Sequence, residues 1–205
     1  MVKSNNRKRL FWEVIMPKIL DDEQIYRAVI QIVSERGYSG ATTKQMADAA
    51  EISEVTLFRK YGSKQQLVKQ AISSIIHQAD LASAAQYTGD VHADLLRVVQ
   101  AYQTSAVKHG DFITSLFSQM SQHPELINSV EEPMHVFLAI GELITRYQKD
   151  GVLKPEPPLH TVGVLLGPVM YAAMLVKLVP NNQLPPFDLK NHVTCFLEGH
   201  RKSRD

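Results

Sequence analysis

The chain has one cysteine, Cys195, among its 205 residues. A single cysteine cannot form an intramolecular disulfide, which excludes a disulfide-stapled secreted fold and favours the reducing cytoplasm. The formal net charge is also small, at +1. Its distribution is uneven, because residues 1–64 hold 11 Lys or Arg against 8 Asp or Glu, whereas residues 65–205 hold 11 against 13. The positive charge that a nucleic-acid-binding surface needs therefore lies in the N-terminal third.

The motifs of common enzyme classes are missing as well. The sequence contains no P-loop, no dinucleotide-binding fingerprint and no H-E-x-x-H, and GYSGA at residues 37–41 lacks the second glycine of a nucleophile elbow. His192, Cys195 and His200 do not converge on one side of a helix, as metal ligands would. We predict that the protein is not an enzyme and uses no cofactor or metal.

No signal peptide is evident, because the basic N-terminus lacks a sufficiently long apolar segment. We interpret residues 1–18 as a flexible basic arm. Within it, Arg7, Lys8 and Arg9 either lie against DNA, in the minor groove or on phosphates, or are solvated charges.

One apolar segment, residues 161–179, approaches the length of a membrane span. Lys177, Pro168 and the lack of a second such segment favour a helix at an interface within a soluble protein. We expect no membrane association.

Residues 41–67 have the pattern of two short helices joined by a tight turn and followed by a longer helix, which is typical of a helix-turn-helix unit. Thr42 with Gln45, and Ser63 with Gln66, have the spacing of capping boxes. Between them, Ser53 is a suitable N-cap for the middle helix.

The remaining chain also shows helical periodicity, and no segment has a convincing strand pattern. We predict a helix from Asp21 or Asp22 to Gly37 and another from Ser63 to about Gln86. Five further helices are predicted at residues 90–109, 112–122, 124–149, 160–179 and 188–202. The fold class is therefore all-α.

The segment TTKQMADAAEISEVTLFRKYGSKQQL resembles the N-terminal signature of the TetR/AcrR transcriptional regulators. The resemblance runs from about Ile19 to Ala71. It implies a three-helix helix-turn-helix DNA-binding domain at residues 19–66 and a helical effector-binding and dimerisation domain at residues 67–205.

The resemblance also implies roles for individual residues at the DNA. Phosphate contacts fall on Thr43, Lys44, Phe58 and Lys64. Base contacts fall on Glu54, Val55, Thr56, Arg59 and Lys60. The chemistry suits most of these positions, since Lys and Arg attract phosphate or donate to guanine, and apolar groups contact the thymine methyl.

Three residues depart from the family pattern. Phe58 stands where tyrosine is common, and Glu51 stands at a turn position where glycine is usual. Glu54 places a carboxylate at the DNA face, where phosphate repels it unless it accepts from cytosine N4. We expect Glu51 to have either a strained φ or an altered turn.

Aromatic and methionine side chains in the middle helices suit an adaptable apolar pocket for a hydrophobic or aromatic effector, although ordinary core packing explains them equally. The candidates are Tyr102, Phe117, Met120, Met134, Phe137, Tyr147, Met170 and Met174. The resemblance places the dimer interface on the last two helices. Its candidates are Gly163, Gly167, Met170, Leu189, Val193, Phe196 and Leu197.

These patterns predict a cytoplasmic, ligand-responsive transcriptional repressor. Two subunits would present two recognition helices to a near-palindromic double-stranded DNA operator, and a small-molecule effector would release the homodimer. The alternative is a helical dimeric interaction protein in which DNA binding has degenerated.

Overall fold

The computed structural model describes residues 21–179 and 184–202. Within these ranges the chain forms nine α-helices and one 3-10 helix, and its only β pairing is an isolated bridge between Leu153 and Arg201. The α-helices are α1 (Asp22–Gly40), α2 (Thr43–Ala49), α3 (Glu54–Tyr61), α4 (Lys64–Ala79), α5 (Leu81–Ala84), α6 (Val91–Gln119), α7 (Glu131–Lys149), α8 (Pro158–Leu178) and α9 (Leu189–His200), and the 3-10 helix is Pro124–Ser129. The all-α prediction is confirmed, while the predicted arm at residues 1–18 lies outside the described residues.

The starts of α2 and α3 are set by the side chains that the sequence predicted. Thr42 Oγ1 accepts from the Gln45 N–H at 3.2 Å, and Gln45 Oε1 accepts from the Thr42 N–H at 3.1 Å, which completes the capping box. Ser53 Oγ accepts from the Thr56 N–H at 3.1 Å and caps α3. The short helix-turn-helix unit is therefore fixed at both N-termini.

The second predicted capping box is only half formed. Ser63 Oγ accepts from the Gln66 N–H at 3.1 Å, as expected. The Ser63 N–H instead donates to the Tyr61 carbonyl at 2.9 Å, so it does not bind the Gln66 side chain. One hydrogen bond still defines the start of α4.

An N-terminal core forms where α1 to α4 meet, and the C-terminal half of α6 completes it. Leu67, Val68 and Ala71 of α4 are buried there, so the predicted boundary between residues 66 and 67 falls inside a helix that packs on both sides of it. Phe112 and Leu116 of α6 are buried in the same core. The N-terminal unit consequently shares its interior with the rest of the chain.

The predicted fourth helix, residues 63–86, is wrong in its length. The helix ends at Ala79, because Asp80 has a left-handed backbone with φ of 47°. Aspartate tolerates this conformation better than most residues do. A separate short helix, α5, follows.

Two other predicted boundaries are also wrong. Gly110 does not separate two helices, since α6 continues through it to Gln119. A glycine inside a helix costs only about 1 kcal/mol relative to alanine, and the buried neighbours His109 and Phe112 hold this helix by packing. In the opposite sense, residues 124–149 are divided, with a 3-10 helix before α7.

A second core lies among α6 to α9. It includes one face of α8, through Val162, Leu165, Leu166 and Val169. This helix is long and apolar enough to cross a membrane by length and composition alone. Its packing against α6, α7 and α9 fits a helix of a folded domain.

Candidate nucleic-acid interface and effector cavity

One face of α3 is exposed and carries four of the predicted DNA-contacting residues. Glu54 and Phe58 are four positions apart, as are Val55 and Arg59, so the two pairs lie side by side on the helix surface. Val55 is 77% exposed and Phe58 is 52% exposed, whereas Leu57 on the opposite side is buried. Within the described chain this face is exposed, and Glu54 at its edge is hydrogen-bonded to α2.

The Glu54 carboxylate is bound within the protein. Thr43 Oγ1, on α2, donates to Glu54 Oε1 at 2.6 Å. This hydrogen bond links the two helices of the unit on their exposed side. It offers a structural reason for an acidic residue at this position and leaves neither side chain without a partner.

Lys60 points away from the exposed face of α3. It follows Val55 by five residues, which rotates it about 140° around the helix beyond one full turn. Its ammonium group pairs with the Asp22 carboxylate on α1, and the Tyr61 hydroxyl donates to the same oxygen at 2.8 Å. Burial would raise the pKa of Asp22, but these two hydrogen bonds outweigh it and lower the pKa. This ion pair joins α3 to α1 in the DNA-free protein, and the base contact of Lys60 stays a prediction.

Lys64 is likewise held inside the protein. Its ammonium group donates to the Tyr38 carbonyl and lies 4.2 Å from the centre of the Tyr38 ring. Burial lowers the pKa of Lys64. As the structure stands, Lys64 joins the start of α4 to the end of α1, and its predicted phosphate contact requires this arrangement to open.

Two cations remain available. Lys44 on α2 and Arg59 on α3 are exposed and form no hydrogen bond or ion pair with any described residue. Thr56, half-buried, contacts the Ser53 hydroxyl at 2.7 Å. The accessible surface is therefore formed by Lys44 at its side and by Val55, Phe58 and Arg59 at its centre.

The turn between α2 and α3 has the strained backbone expected from the sequence. Glu51 has φ of 54°, in the left-handed region that favours glycine. The expectation of a strained φ at this position is confirmed.

A cavity of about 400 Å³ lies between α4, α5, α6, the 3-10 helix, α7 and α8. Most of the side chains around it are apolar. Six of the predicted effector-binding residues line it, namely Tyr102, Phe117, Met120, Phe137, Met170 and Met174. Its size is within the range of pockets for small organic molecules.

The other two predicted effector-binding residues lie elsewhere. Tyr147 is fully buried in the C-terminal core, where its hydroxyl donates to Asp94. Met134 is on the surface of α7 and does not line the cavity. Methionine and aromatic content alone does not distinguish these positions from the six that line the cavity.

The predicted dimer residues divide into two groups. Gly163 and Gly167 are exposed on α8, beside Val164 at 51% and Tyr171 at 63% exposure. Val193, Phe196 and Leu197 of α9 are instead buried within the subunit, Leu189 packs partly against the same core, and Met170 lines the cavity. These residues of α9 face inward because α9 packs its apolar side against the C-terminal core. The free apolar face belongs to α8.

Hydrogen bonds join the cavity wall to the N-terminal unit. Gln119, at the end of α6, accepts from the Ser39 N–H at 2.8 Å and from the Ser39 hydroxyl at 2.7 Å. The Ser39 hydroxyl also lies 2.6 Å from His123 Nε2. In the 3-10 helix, the Glu125 carbonyl accepts from Gln65 Nε2 at 2.7 Å. We call these bonds the α6 junction.

Sequence reasoning missed the α6 junction and the partner of Lys60. Ser39 and Gln119 are 80 positions apart, and Asp22 and Lys60 are 38 apart. No local spacing pattern connects such pairs. The acidic residues at the start of α1 are visible in the sequence, but which residue pairs with Asp22 depends on how α3 packs across α1.

Comparison with known proteins shows what the N-terminal unit is similar to. Residues 25–71 match the model of bacterial regulatory proteins, tetR family. The chain is therefore similar to the tetR family over these residues. An uncharacterized HTH-type transcriptional regulator of Bacillus subtilis (strain 168), YvkB, is 31% identical over 112 residues, which is 54% of this chain and 58% of that protein. The matched segment thus spans less than two thirds of this relative.

Solved structures of the tetR family share the whole fold. A candidate tetR family regulator from Shewanella sp. PV-4 has a TM-score of 0.69 at 22% identity, covering 89% of this chain and 98% of that one. A TetR family transcription regulator from Marinobacter aquaeolei VT8 has a TM-score of 0.69 at 14% identity, covering 89% and 96%. These likenesses show that the fold of the described chain is shared from the N-terminal unit through the helices that follow it.

Proposed function

We propose that this protein is a tetR family, ligand-responsive transcriptional repressor, which binds a near-palindromic operator as a homodimer and is released by a small apolar effector. The observation that carries this proposal is the exposed face of α3 in a chain that also encloses an apolar cavity. The two features are joined by the α6 junction.

DNA recognition is supported by the form of the exposed α3 face. An α-helix fits the major groove, where each base pair presents a distinct set of donors and acceptors. Arg59 is free to donate to guanine, and Val55 is free to contact a thymine methyl. Lys44 lies on α2, which in this type of unit crosses the DNA backbone, and supplies a phosphate contact.

Dimerisation is supported by the uncovered apolar face of α8. Val164 and Tyr171 are exposed there beside two glycines that leave room for close approach of a second helix. A two-fold pair can place two α3 helices about 34–36 Å apart, which is one turn of B-form DNA. A single α3 helix reads too few base pairs for specific binding.

Effector control follows from the α6 junction. Phe117 and Met120 of α6 line the cavity, and Gln119 between them bonds Ser39 at the end of α1. A ligand that moves this end of α6 therefore moves the N-terminal unit. By linkage, operator DNA changes effector affinity by the same factor that the effector changes operator affinity.

Salt-dependent DNA binding tests the proposal. The purified chain is titrated into an inverted-repeat duplex from the region upstream of its own gene and into a scrambled duplex, at several salt concentrations. A regulator prefers the inverted repeat, and its affinity falls steeply with salt because phosphate contacts release counterions. We expect the stoichiometry to be two chains for each duplex.

Weak binding with no sequence preference and no steep salt dependence contradicts the proposal. That result favours the alternative of a dimeric interaction protein with degenerate DNA binding. A duplex of the same base composition with only one half-site is the matched control. Loss of high-affinity binding on this control indicates that both subunits contact DNA.

A further inference from the structure

The cavity contains no charged side chain among the described residues that line it. A charged ligand entering it would lose its hydration without gaining an ion pair, which costs several kcal/mol. A hydrocarbon chain or ring meets mainly favourable apolar contacts. The chemistry of the lining therefore selects neutral molecules.

One lining residue, Ser129, is buried without a hydrogen-bond partner. It ends the 3-10 helix, is 2% exposed, and its Oγ bonds no other group in the described part of the chain. Buried hydroxyl groups in native proteins are nearly always hydrogen-bonded, and one that is not costs about 1–3 kcal/mol. This unsatisfied group lies at the wall of a cavity that is otherwise nearly apolar.

We infer that the effector is a neutral, mainly hydrocarbon molecule with one hydrogen-bonding oxygen, and that Ser129 Oγ binds that oxygen. The regulatory meaning of this contact rests on the proposed function. The serine side chain has three staggered positions about χ1. The inferred contact requires one of these positions to direct Oγ toward the bound molecule. The ligand then supplies the hydrogen bond that Ser129 lacks.

The position of Ser129 connects this contact to the N-terminal unit. Ser129 is four residues from Glu125, whose carbonyl accepts from Gln65 on α4. Leu126, between them, lines the cavity and is also buried in the N-terminal core. A ligand held by Ser129 thus binds the same short helix that contacts α4.

Matched ten-carbon probes test the ligand chemistry. The full chain is titrated by calorimetry at pH 7 with 1-decanol, decanoate, decylammonium and n-butylbenzene. We expect 1-decanol to bind at least about 10-fold more tightly than decanoate or decylammonium, because the cavity offers no partner for either charge. Equal or tighter binding of either ion overturns the inference, as does failure of 1-decanol to bind.

Substitution of Ser129 tests the contact itself. Ser129→Ala should weaken 1-decanol binding by about 2- to 12-fold, which is the usual worth of one neutral hydrogen bond. Binding of n-butylbenzene, which has no oxygen, should stay unchanged. Ser129→Cys keeps a side chain of similar shape with a weak donor and should lose decanol affinity in the same direction. Thermal unfolding without ligand should show Ser129→Ala to be as stable as the wild type or more so.

Two control variants test whether another lining residue binds the oxygen of 1-decanol. Ser105 and Tyr102 also line the cavity with hydroxyl groups. Decanol affinity that falls in Ser105→Ala or Tyr102→Phe, and not in Ser129→Ala, overturns the inference.

Operator binding by the same ligand-free samples separates the two proposals. Specific DNA binding by a chain whose decanol affinity does not change in Ser129→Ala overturns the inference and supports the regulator. Decanol binding that depends on Ser129 in a chain without specific DNA binding supports the ligand contact and overturns the regulator.

Discussion

Asp94 is a fully buried carboxylate in the first turn of α6, and four donors surround it. Thr88 donates through its N–H at 2.7 Å and its hydroxyl at 2.6 Å, Arg97 donates at 2.9 Å, and Tyr147 donates from α7. Burial alone would raise the pKa of Asp94, but the hydrogen bonds outweigh it and lower the pKa. Tyr147 is thus part of a structural network, which explains why it does not line the cavity.

Tyr147→Phe tests that assignment. Removing one donor to a buried carboxylate should lower the free energy of unfolding by about 1.5–3 kcal/mol. Urea unfolding of the purified chain measures this change. Tyr102→Phe is the matched control and should change stability little, because the Tyr102 hydroxyl bonds no described residue. Equal losses in both variants would show that the Asp94 network contributes nothing specific.

Glu51 offers a second test at a single position. Its left-handed φ disfavours a β-branched side chain far more than glycine. Both substitutions remove the carboxylate, so the difference between them isolates the backbone term. We expect Glu51→Val to be less stable than Glu51→Gly by about 1–2 kcal/mol. Thermal unfolding checks this, and equal stabilities would mean that the turn changes conformation at little cost.

The helix α3 has two kinds of basic residue, one free and one bound. Arg59 is on the exposed face, while Lys60 pairs with Asp22 on α1. The first is suited to read bases and the second to set the angle of the helix. The family resemblance implied base contacts for both.

Arg59→Ala and Lys60→Ala should therefore differ in kind. Arg59→Ala should cost about 1–3 kcal/mol at one base pair and relax preference there. Lys60→Ala should weaken binding to all operator variants alike and reduce protein stability. Competition binding with a library of single-base operator variants distinguishes these patterns. Altered base preference in Lys60→Ala, with none in Arg59→Ala, would indicate that Lys60 and not Arg59 contacts the bases.

The end of α1 and the end of α6 fit closely at Gly37. Gly37 has φ of 73° and ψ of 165°, a conformation nearly restricted to glycine, and a Cβ there would overlap Gln119 Nε2. A side chain at position 37 would therefore be destabilising for two separate reasons, backbone strain and steric overlap.

A double-mutant cycle separates these penalties. Gly37→Ala should lower stability by about 1–3 kcal/mol from backbone strain, with a further loss from the overlap. Gln119→Ala removes the overlapping side chain, so Gly37→Ala should cost less in that background. Chemical unfolding of the four proteins measures the coupling. Strictly additive losses would indicate that Gln119 moves aside freely.

At the scale of the molecule, α8 has an apolar face that no described residue covers. Val164→Glu should convert the proposed dimer to a monomer and abolish high-affinity operator binding. Analytical ultracentrifugation and DNA titration measure the two effects. Val107→Glu on α6 is the matched control, since Val107 has similar exposure at 50%. A Val164→Glu protein that stays dimeric would place the interface elsewhere.

The sequence predicted local structure well and long-range structure poorly. Caps at Thr42 and Ser53 depend on residues three positions apart, so their pattern is visible in the chain. The inward face of α9 and the bonds of Lys60 and Lys64 depend on how helices pack, which periodicity does not specify. Family resemblance identified the exposed positions of α3 but not which of its cations are free.

The sharing of the N-terminal core has a consequence for protein engineering. Phe112, Leu116 and Leu126 fill that core from outside residues 21–79. An excised fragment ending at Ala79 would expose an apolar hollow and lose much of its folding energy. A chimera that joins the N-terminal unit to a foreign domain will also need the distal part of α6 and the 3-10 helix after it.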